Sequence, residues 1–562
     1  MCVYDVAPTL FLSGAGSTTD TQLRKIKRWA SSGLHTASME MHLPLQQGPS
    51  RTLVEALRER LSVQTGKPVL LIETHISWVL LTDRLAYKLK KPVHLPFVDF
   101  TTLASRKHFC EEEVRLNSRL APTLYLGVAP VCGTEQAPLL DGPGAPIDYA
   151  VCMRRFASGA LLSERLAAGL LLPEHVEGLA RRLGEFHRHA PVAPPPRSVD
   201  AVRRVVAPVL RVLEQLRVHC GTARTGALET WVRAQAVALG PIWTARERDG
   251  HVRECHGDLH LANTVLVDGE VTAFDCIEFD PALRRIDEMS DVAFLTMDLQ
   301  ANGRSDLAFR FLDACLQCSG DYAGVRVLRF YEVYRALVRG LVNFVHPVRP
   351  PLLHRPDYIG CAERLVQGAC RMPRLLITHG VSGSGKSTVA SELLAAAGAI
   401  RLRSDVERKR LFGMTALERS AGGAIYGSDA TARTFRRLAE CARSALCAGY
   451  PVIVDAAFLR HAERDAFRVL AADLGATFTI LHCTAGKARL HERVVTRAAA
   501  GTDASDADLQ VLERQWACYE PLADDERAYA LEISTDAPVD AVALCRRWLA
   551  QAQTVSGRAP VA

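Results

Sequence analysis

The sequence contains no run of about 18 apolar residues, so it offers nothing long and greasy enough to cross a bilayer as a helix. Its first residues lack the basic stretch and long apolar run of a secretory signal. Cysteine is plentiful, at sixteen, but framework spacing is missing. Only Cys315 and Cys318 form a C-x-x-C, in a helical-looking stretch without a second pair, and small packing residues are expected there rather than a zinc or redox site. Charge of one sign is also scarce. A net charge of +6 over 562 residues does not argue for a nucleic-acid or membrane protein, and a basic patch over phosphates accounts for it equally well. With 48% apolar and 23% charged residues the expectation is a soluble, cytoplasmic, globular protein. The length is too great for one core, given a prior of ~100–200 residues per domain.

What the sequence does have is chemistry at fixed spacing. His256-Gly-Asp-Leu-His-Leu-Ala-Asn263 offers a carboxylate, Asp258, and five residues later an amide, Asn263. A second carboxylate, Asp275, closes an apolar run that reads as a hairpin, 264–267 and 271–274, around Asp268-Gly269. Phosphoryl transfer needs these parts: one carboxylate orients the attacking hydroxyl, while an amide and another carboxylate hold Mg²⁺ on nucleotide phosphates.

This motif resembles the catalytic loop of the aminoglycoside phosphotransferase-like kinases, which share the protein-kinase fold. The resemblance implies that Asp258 is the catalytic base and that Asn263 and Asp275 are metal ligands. It extends through Ile286-Asp-Glu-Met-Ser-Asp-Val-Ala-Phe294, where Asp291 matches an aspartate that braces the loop containing His256. It covers roughly residues 50–367 and implies a kinase fold, not an antibiotic substrate.

In chain order, residues 1–50 read as a poorly ordered leader, followed by a helix at 52–62. Two β-rich runs, 73–81 and 84–90, flank Thr82-Asp83 as a hairpin, and alternation puts Ala86, Lys88 and Lys90 on one face. A kinase small lobe needs one strand lysine over the phosphates, paired with a helix glutamate. Lys88 is the first choice and Lys90 the second. On the next helix, 101–119, Glu113 is chosen over Glu111 and Glu112 because it precedes the apolar Val114. Strands at 125–131 and 149–153, a hinge at 153–156, and helices at 161–171, 174–189, 199–218, 228–239, 287–300, 306–318 and 325–345 complete an α+β kinase pattern. The small lobe is expected at about 51–153 and the large lobe at about 157–367.

A second nucleotide site begins at Arg374-Leu-Leu-Ile-Thr-His-Gly-Val-Ser-Gly-Ser-Gly-Lys-Ser-Thr388. A β-rich run, then Gly380-x₄-Gly385-Lys386-Ser387, then a helix is the P-loop in its required context. Gly380, Val381, Ser382, Gly383, Ser384, Gly385 and Thr388 would turn backbone N–H groups toward phosphate oxygens. Lys386 would reach the β/γ-phosphates and Ser387 would ligate Mg²⁺. Apolar runs ending in Asp405 and Asp455 and a further strand at 478–482 indicate a parallel α/β sheet over 372–551, with a tail at 552–562. Asp455 is the metal-side acid or a second base. Arg489, Arg493 and Arg497 share a helix face, and Arg493 and Arg497 are candidate lid arginines for the transferring phosphate.

This segment resembles the small P-loop kinases, the group that includes gluconate kinase, polynucleotide 5′-kinase and zeta toxin. The resemblance implies that Asp405 acts on the acceptor hydroxyl and that Arg408 binds substrate. The order of the two domains resembles bacterial bifunctional proteins described as aminoglycoside phosphotransferase/ATP-binding. The expected function is an ATP- and Mg²⁺-dependent phosphotransferase with two active sites acting on small-molecule hydroxyls. The alternatives are a P-loop domain that only senses nucleotide, or one that acts on RNA 5′-ends or a protein; no membrane partner is expected.

Overall fold

The computed structural model describes residues 50–95, 98–193, 200–345, 356–368, 372–420, 424–501 and 503–551. The expected leader before residue 50, the prolines at 194–196, most of the linker and the tail lie outside the described residues. Two compact units form. One holds residues up to Val114 together with Leu124–Arg155, and the other holds Arg115–Thr123 and the chain from Phe156 onward.

In the first unit, helix α1 (Arg51–Thr65) is started by Ser50, whose side chain accepts from the Leu53 N–H, and stopped by Gly66 at φ 66°. Its face of Leu53, Val54, Leu57 and Leu61 packs with Val69, Trp78, Leu80, Leu89, Val131 and Ala150. All but Val69, which precedes the first strand, come from one antiparallel sheet. Its strands are β1 (Leu70–Glu73), β2 (Ser77–Leu81), β3 (Leu85–Lys90), β6 (Tyr125–Gly133), β7 (Pro138–Leu140) and β8 (Asp148–Arg154), in the order β1-β2-β3-β8-β6-β7. The tiny pair β4 (His94–Leu95) and β5 (Val98–Asp99) leads into helix α2 (Leu103–Asn117). The expected first strand of the hairpin is shorter than its apolar run. Thr74 breaks it, its hydroxyl and backbone N–H both engaging Ser77.

The second unit opens with helices α3 (Leu162–Ala167), α4 (Pro173–His189), α5 (Ala201–Cys220) and α6 (Thr222–Arg248). Helix α6 runs well past the expected 228–239, through Pro241. The proline deprives the carbonyl of Val237 of its helical partner, and Val237 lies on the exposed side of the helix. Next come β9 (Val252–Glu254), the hairpin β10 (Thr264–Val267) and β11 (Glu270–Ala273), α7 (Pro281–Arg284), β12 (Arg285–Asp287), α8 (Glu288–Ala301), α9 (Ser305–Ser319), α10 (Val325–Val345) and α11 (Tyr358–Gly368). Helix α8 is buried nearly all round. Cys315 is buried, and Cys318 packs against Gly184, where an added Cβ would sit 2.8 Å from the Cys318 Cβ.

A five-stranded, all-parallel sheet follows in the same unit: β13 (Arg374–His379), β14 (Ile400–Arg403), β15 (Val452–Asp455), β16 (Thr477–Thr484) and β17 (Ala530–Ser534), in the order β14-β15-β13-β16-β17. Helices α12 (Lys386–Ala397), α13 (Ser404–Leu411), α14 (Ser428–Cys447), α15 (His461–Asp473), α16 (Lys487–Ala500), α17 (Leu509–Ala517), α18 (Asp524–Arg527) and α19 (Ala541–Ala550) surround or cap it. The architecture is an α+β protein-kinase-like fold followed by an α/β P-loop domain with a parallel sheet. Among the described residues, no helix is long and apolar enough to cross a membrane.

Candidate functional site

In the first unit, strand alternation delivers Lys88 and Lys90 to one carboxylate. Lys88 Nζ lies 2.8 Å from Glu113 Oε1 and Lys90 Nζ 2.7 Å from Glu113 Oε2. Glu113 is fully buried, whereas Glu111 is exposed and Glu112 half-buried. The two lysines differ in surroundings. Lys90 is fully buried with its ammonium over the Phe100 ring, while the Lys88 side chain keeps 12% of its exposure. Lys88 is therefore the less buried of the two partners of Glu113.

In the second unit the loop after β9 is held from below by Asp291 of α8. Its Oδ2 accepts from the His256 N–H at 2.7 Å and its Oδ1 from the Gly257 N–H at 2.8 Å, while His187 Nε2 lies 3.2 Å away. Gly257 has φ 86°, and a Cβ there would meet the Leu283 carbonyl at 2.7 Å, so only glycine fits. The His256 ring reaches the Phe274 carbonyl at 2.9 Å, tying the loop to the residue before Asp275. Asp275 itself sits at φ 61°, a conformation few non-glycine residues hold without support.

Asn263 Nδ2 donates to Asp258 Oδ2 at 2.9 Å and to the Asp258 carbonyl at 3.1 Å. The other oxygen, Asp258 Oδ1, is buried without a hydrogen-bond partner among the described residues. An orphaned carboxylate oxygen is costly to bury unless something uses it. Burial works against the charge of Asp258, but His260 and Arg339 outweigh it and hold the carboxyl below the usual carboxylate range. Burial also lowers both His256 and His260. Two residues that the sequence reading passed over complete this cluster. His260 Nε2 is 3.5 Å from Asp258 Oδ2, and Arg339 of α10 is 3.4 Å from His260 Nε2. Position two after Asp258 could have flagged His260; nothing local could have flagged Arg339.

The P-loop lies between β13 and α12. Gly383 and Gly385 have φ near 80°, which lets successive N–H groups face one concavity. Lys386 Nζ donates back to the Val381 carbonyl at 2.8 Å. Ser387 Oγ donates to Asp455 Oδ1 at 3.1 Å, and Asp455 Oδ2 has no hydrogen-bond partner among the described residues. A hydroxyl and a carboxylate converging at the C-terminal end of a parallel strand are hard oxygen donors suited to Mg²⁺, so the residues present fit that ion. Asn263 and Asp275 likewise carry an amide and a carboxylate, oxygen donors that would suit the same ion.

Asp405 follows β14, which stops at Arg403, and falls in the first turn of α13. Burial raises its carboxyl, with Arg403, Ser505 and Arg408 pulling it back. Arg408 donates to the Ile425 carbonyl at 2.9 Å and stacks on Tyr426, and its Nε is buried without a hydrogen-bond partner among the described residues. Arg493 clasps the P-loop: it donates to the Gly383 carbonyl at 3.2 Å and to Thr535 Oγ1 at 2.8 Å. Arg497 donates to the Ala507 carbonyl at 3.2 Å, and Arg489 stays on the exposed face beside Glu492. Gln515 accepts from the Ser382 N–H at 2.7 Å. Arg403, missed from sequence, lies 3.7 Å from Asp455 and 2.9 Å from Asp503.

These features define a protein with a kinase-like fold joined to a P-loop nucleotide-binding domain. Residues 375–522 match the family model described as "AAA domain". Over 446 residues, 77% of this chain and 87% of theirs, the chain is 32% identical to uncharacterized proteins of Mycobacterium tuberculosis and Mycobacterium bovis. It belongs to their family. Among solved structures it is similar to a putative kinase from Chloroflexus aurantiacus (22% identical, 32% of this chain and 97% of that one, TM-score 0.27). It is also similar to a choline/ethanolamine kinase family protein from Mesorhizobium loti (13% identical, 56% and 92%, TM-score 0.33).

Proposed function

We propose that the protein is a two-headed, cytoplasmic, ATP-dependent phosphotransferase acting on hydroxyl groups of small molecules, with one head in a domain of about 51–367 and the other in about 372–551. The observation that carries this reading is Asp258: buried, ionised, fixed by Asn263 through one oxygen and with the other left open. In the first head that open oxygen would accept the proton of an acceptor hydroxyl as its oxygen attacks the γ-phosphorus of ATP. The bond from that phosphorus to the β,γ-bridging oxygen breaks, and ADP leaves. Lys88, oriented by Glu113, would bind phosphate, and Asn263 and Asp275 would hold the metal. Asp291 would keep the loop in place through the N–H groups of His256 and Gly257. Mg²⁺, when bound, would neutralise charge on the phosphates.

In the second head the N–H groups of Gly380–Thr388 and Lys386 would cradle a second ATP, with Ser387 and Asp455 as metal ligands. Asp405, its carboxyl raised by burial, suits a proton acceptor; Arg408 would bind the acceptor, and Arg493 and Arg497 the transferring phosphate. The orphaned Nε of Arg408 beside Asp405 favours this over a domain that only senses nucleotide. Free thiols at the described cysteines support a reducing compartment.

The test is Mg²⁺-dependent ADP release across sugars, nucleosides, aminoglycosides and RNA ends, for wild type, Asp258→Ala and Lys386→Ala. Each variant should lose a different subset of acceptors by about 10²-fold or more. Unchanged turnover of every acceptor in Lys386→Ala would make the P-loop domain regulatory, and acceptor turnover surviving in the double variant would sink the proposal.

A further inference from the structure

The edge strand of the parallel sheet, β14, carries arginines at positions 401 and 403, which alternation places on one face. Both are gripped by helix α9 of the helical lobe. Arg401 is 6% exposed. Its Nη2 lies 2.6 Å from Asp313 Oδ2 and its Nε 3.3 Å from Asp313 Oδ1. Its remaining nitrogen, Nη1, donates to the carbonyl of Ser387 at 3.2 Å. Arg403 repeats the pattern one helical turn along. Its Nη1 meets Gln317 Oε1 at 3.5 Å, while Nε lies 3.7 Å from Asp455 Oδ2 and Nη2 2.9 Å from Asp503. Gln317 in turn donates to Asp313 Oδ2 at 2.6 Å.

Each arginine therefore has one end on α9 and the other on a residue proposed to hold the metal: Arg401 on the backbone carbonyl of Ser387, and Arg403 beside the carboxylate of Asp455 at the end of β15. Docking alone does not require this. An ion pair between Arg401 and Asp313 would already fasten the helix to the sheet, and no third bond into the nucleotide loop would be needed. The planar guanidinium makes the coupling directional, because rotating it to follow Asp313 moves Nη1 off the Ser387 carbonyl.

We infer that Asp313 and Gln317 of the helical lobe are positioning residues for the P-loop site, acting through Arg401 and Arg403 to keep Ser387 and Asp455 in register for the metal–nucleotide complex. This rests on the reading of Ser387 and Asp455 as metal ligands. The second head is then completed by a helix from the first.

The experiment measures binding of a fluorescent ATP analogue to the full chain as Mg²⁺ is titrated, with the signal of Lys386→Ala subtracted to remove the first head. Gln317→Ala removes one anchor without stranding a charge, so it should fold. Asp313→Asn removes the ionic anchor, and Asp313→Glu is the conservative variant. Gln317→Ala and Asp313→Asn are expected to raise the Mg²⁺ concentration for half-maximal binding by about five- to tenfold, a shift of about 1–1.4 kcal/mol. Metal-free binding should hold within twofold, and Asp313→Glu should recover most of the loss. A lowered melting temperature with an unchanged Mg²⁺ dependence in Gln317→Ala would overturn the inference, leaving α9 a docking element. Asp455→Asn and Ser387→Ala serve as the separate check. If neither shifts the Mg²⁺ dependence, the metal reading itself is wrong and the inference falls with it.

Discussion

At the residue scale, the two lysines on β3 show how burial divides one carboxylate's partners. Lys88→Met should weaken ATP binding at the first head with little change in melting temperature. Lys90→Met removes a fully buried charge partner of Glu113 and should cost roughly 3–5 kcal/mol of stability, seen as a lower denaturant midpoint. Equal losses of stability in both variants would contradict the division. Alternation in the sequence located both lysines but could not choose between them, because that choice depends on Phe100 closing over Lys90, a contact no local pattern encodes. Glu332 on α10 makes a second residue-scale prediction. Burial raises its carboxyl to about 7, against pulls from Thr296 and others. Between about pH 4.5 and pH 7 the folded protein keeps a proton that the unfolded chain gives up, so this contribution to stability is lost as pH rises. Glu332→Gln should remove that slope and gain up to ~3 kcal/mol above pH ~7, at about 1.4 kcal/mol per unit. Chemical denaturation at about pH 5 and about pH 8 checks it.

At the element scale, the loop from His256 to Asn263 depends on one backbone conformation. Gly257→Ala puts a Cβ against the Leu283 carbonyl and should lower first-head turnover by roughly 10²-fold, the equivalent of about 2.7 kcal/mol. Nucleotide binding by Lys386 should be retained, and a turnover assay with a P-loop binding assay separates the two. The elements themselves were mostly legible. The hairpin β10–β11 follows its Asp268-Gly269 turn, and the P-loop strand and helix follow their glycines. Helix α6 outruns the expected 228–239, continuing through Gly240 and Pro241 to Arg248. Asp405 follows the strand, as the sequence suggests, but the helix that begins at Ser404 puts it in a first helical turn, which the apolar run before it does not reveal.

At the scale of the molecule, little of the α9–β14 contact could be read beforehand. Asp313 and Arg401 are 88 residues apart, and two arginines on a short strand resemble any solvated edge. Phe309 of α9 packs against the P-loop core of Leu376, Ile453 and Trp548. The helical lobe and the P-loop domain should therefore unfold in one calorimetric transition. Phe309→Asp should split it in two, since burying a lone carboxylate there is costly; two transitions in the wild type would refute the shared core.

The far end of α9 carries one more consequence. Its last carbonyls accept from arginines of the later domain, Arg410 on Gln317 and Cys318 and Arg437 on Gly320. Arg437 follows Gly320 by 117 residues, which a ribosome takes roughly 6–23 s to add at ~5–20 residues per second. During that interval the nascent helical lobe would hold a helix whose end still lacks Arg437, with Phe309 uncovered until the P-loop core is made. Nascent chains stalled before β14 should bind chaperones more strongly than those released after α14.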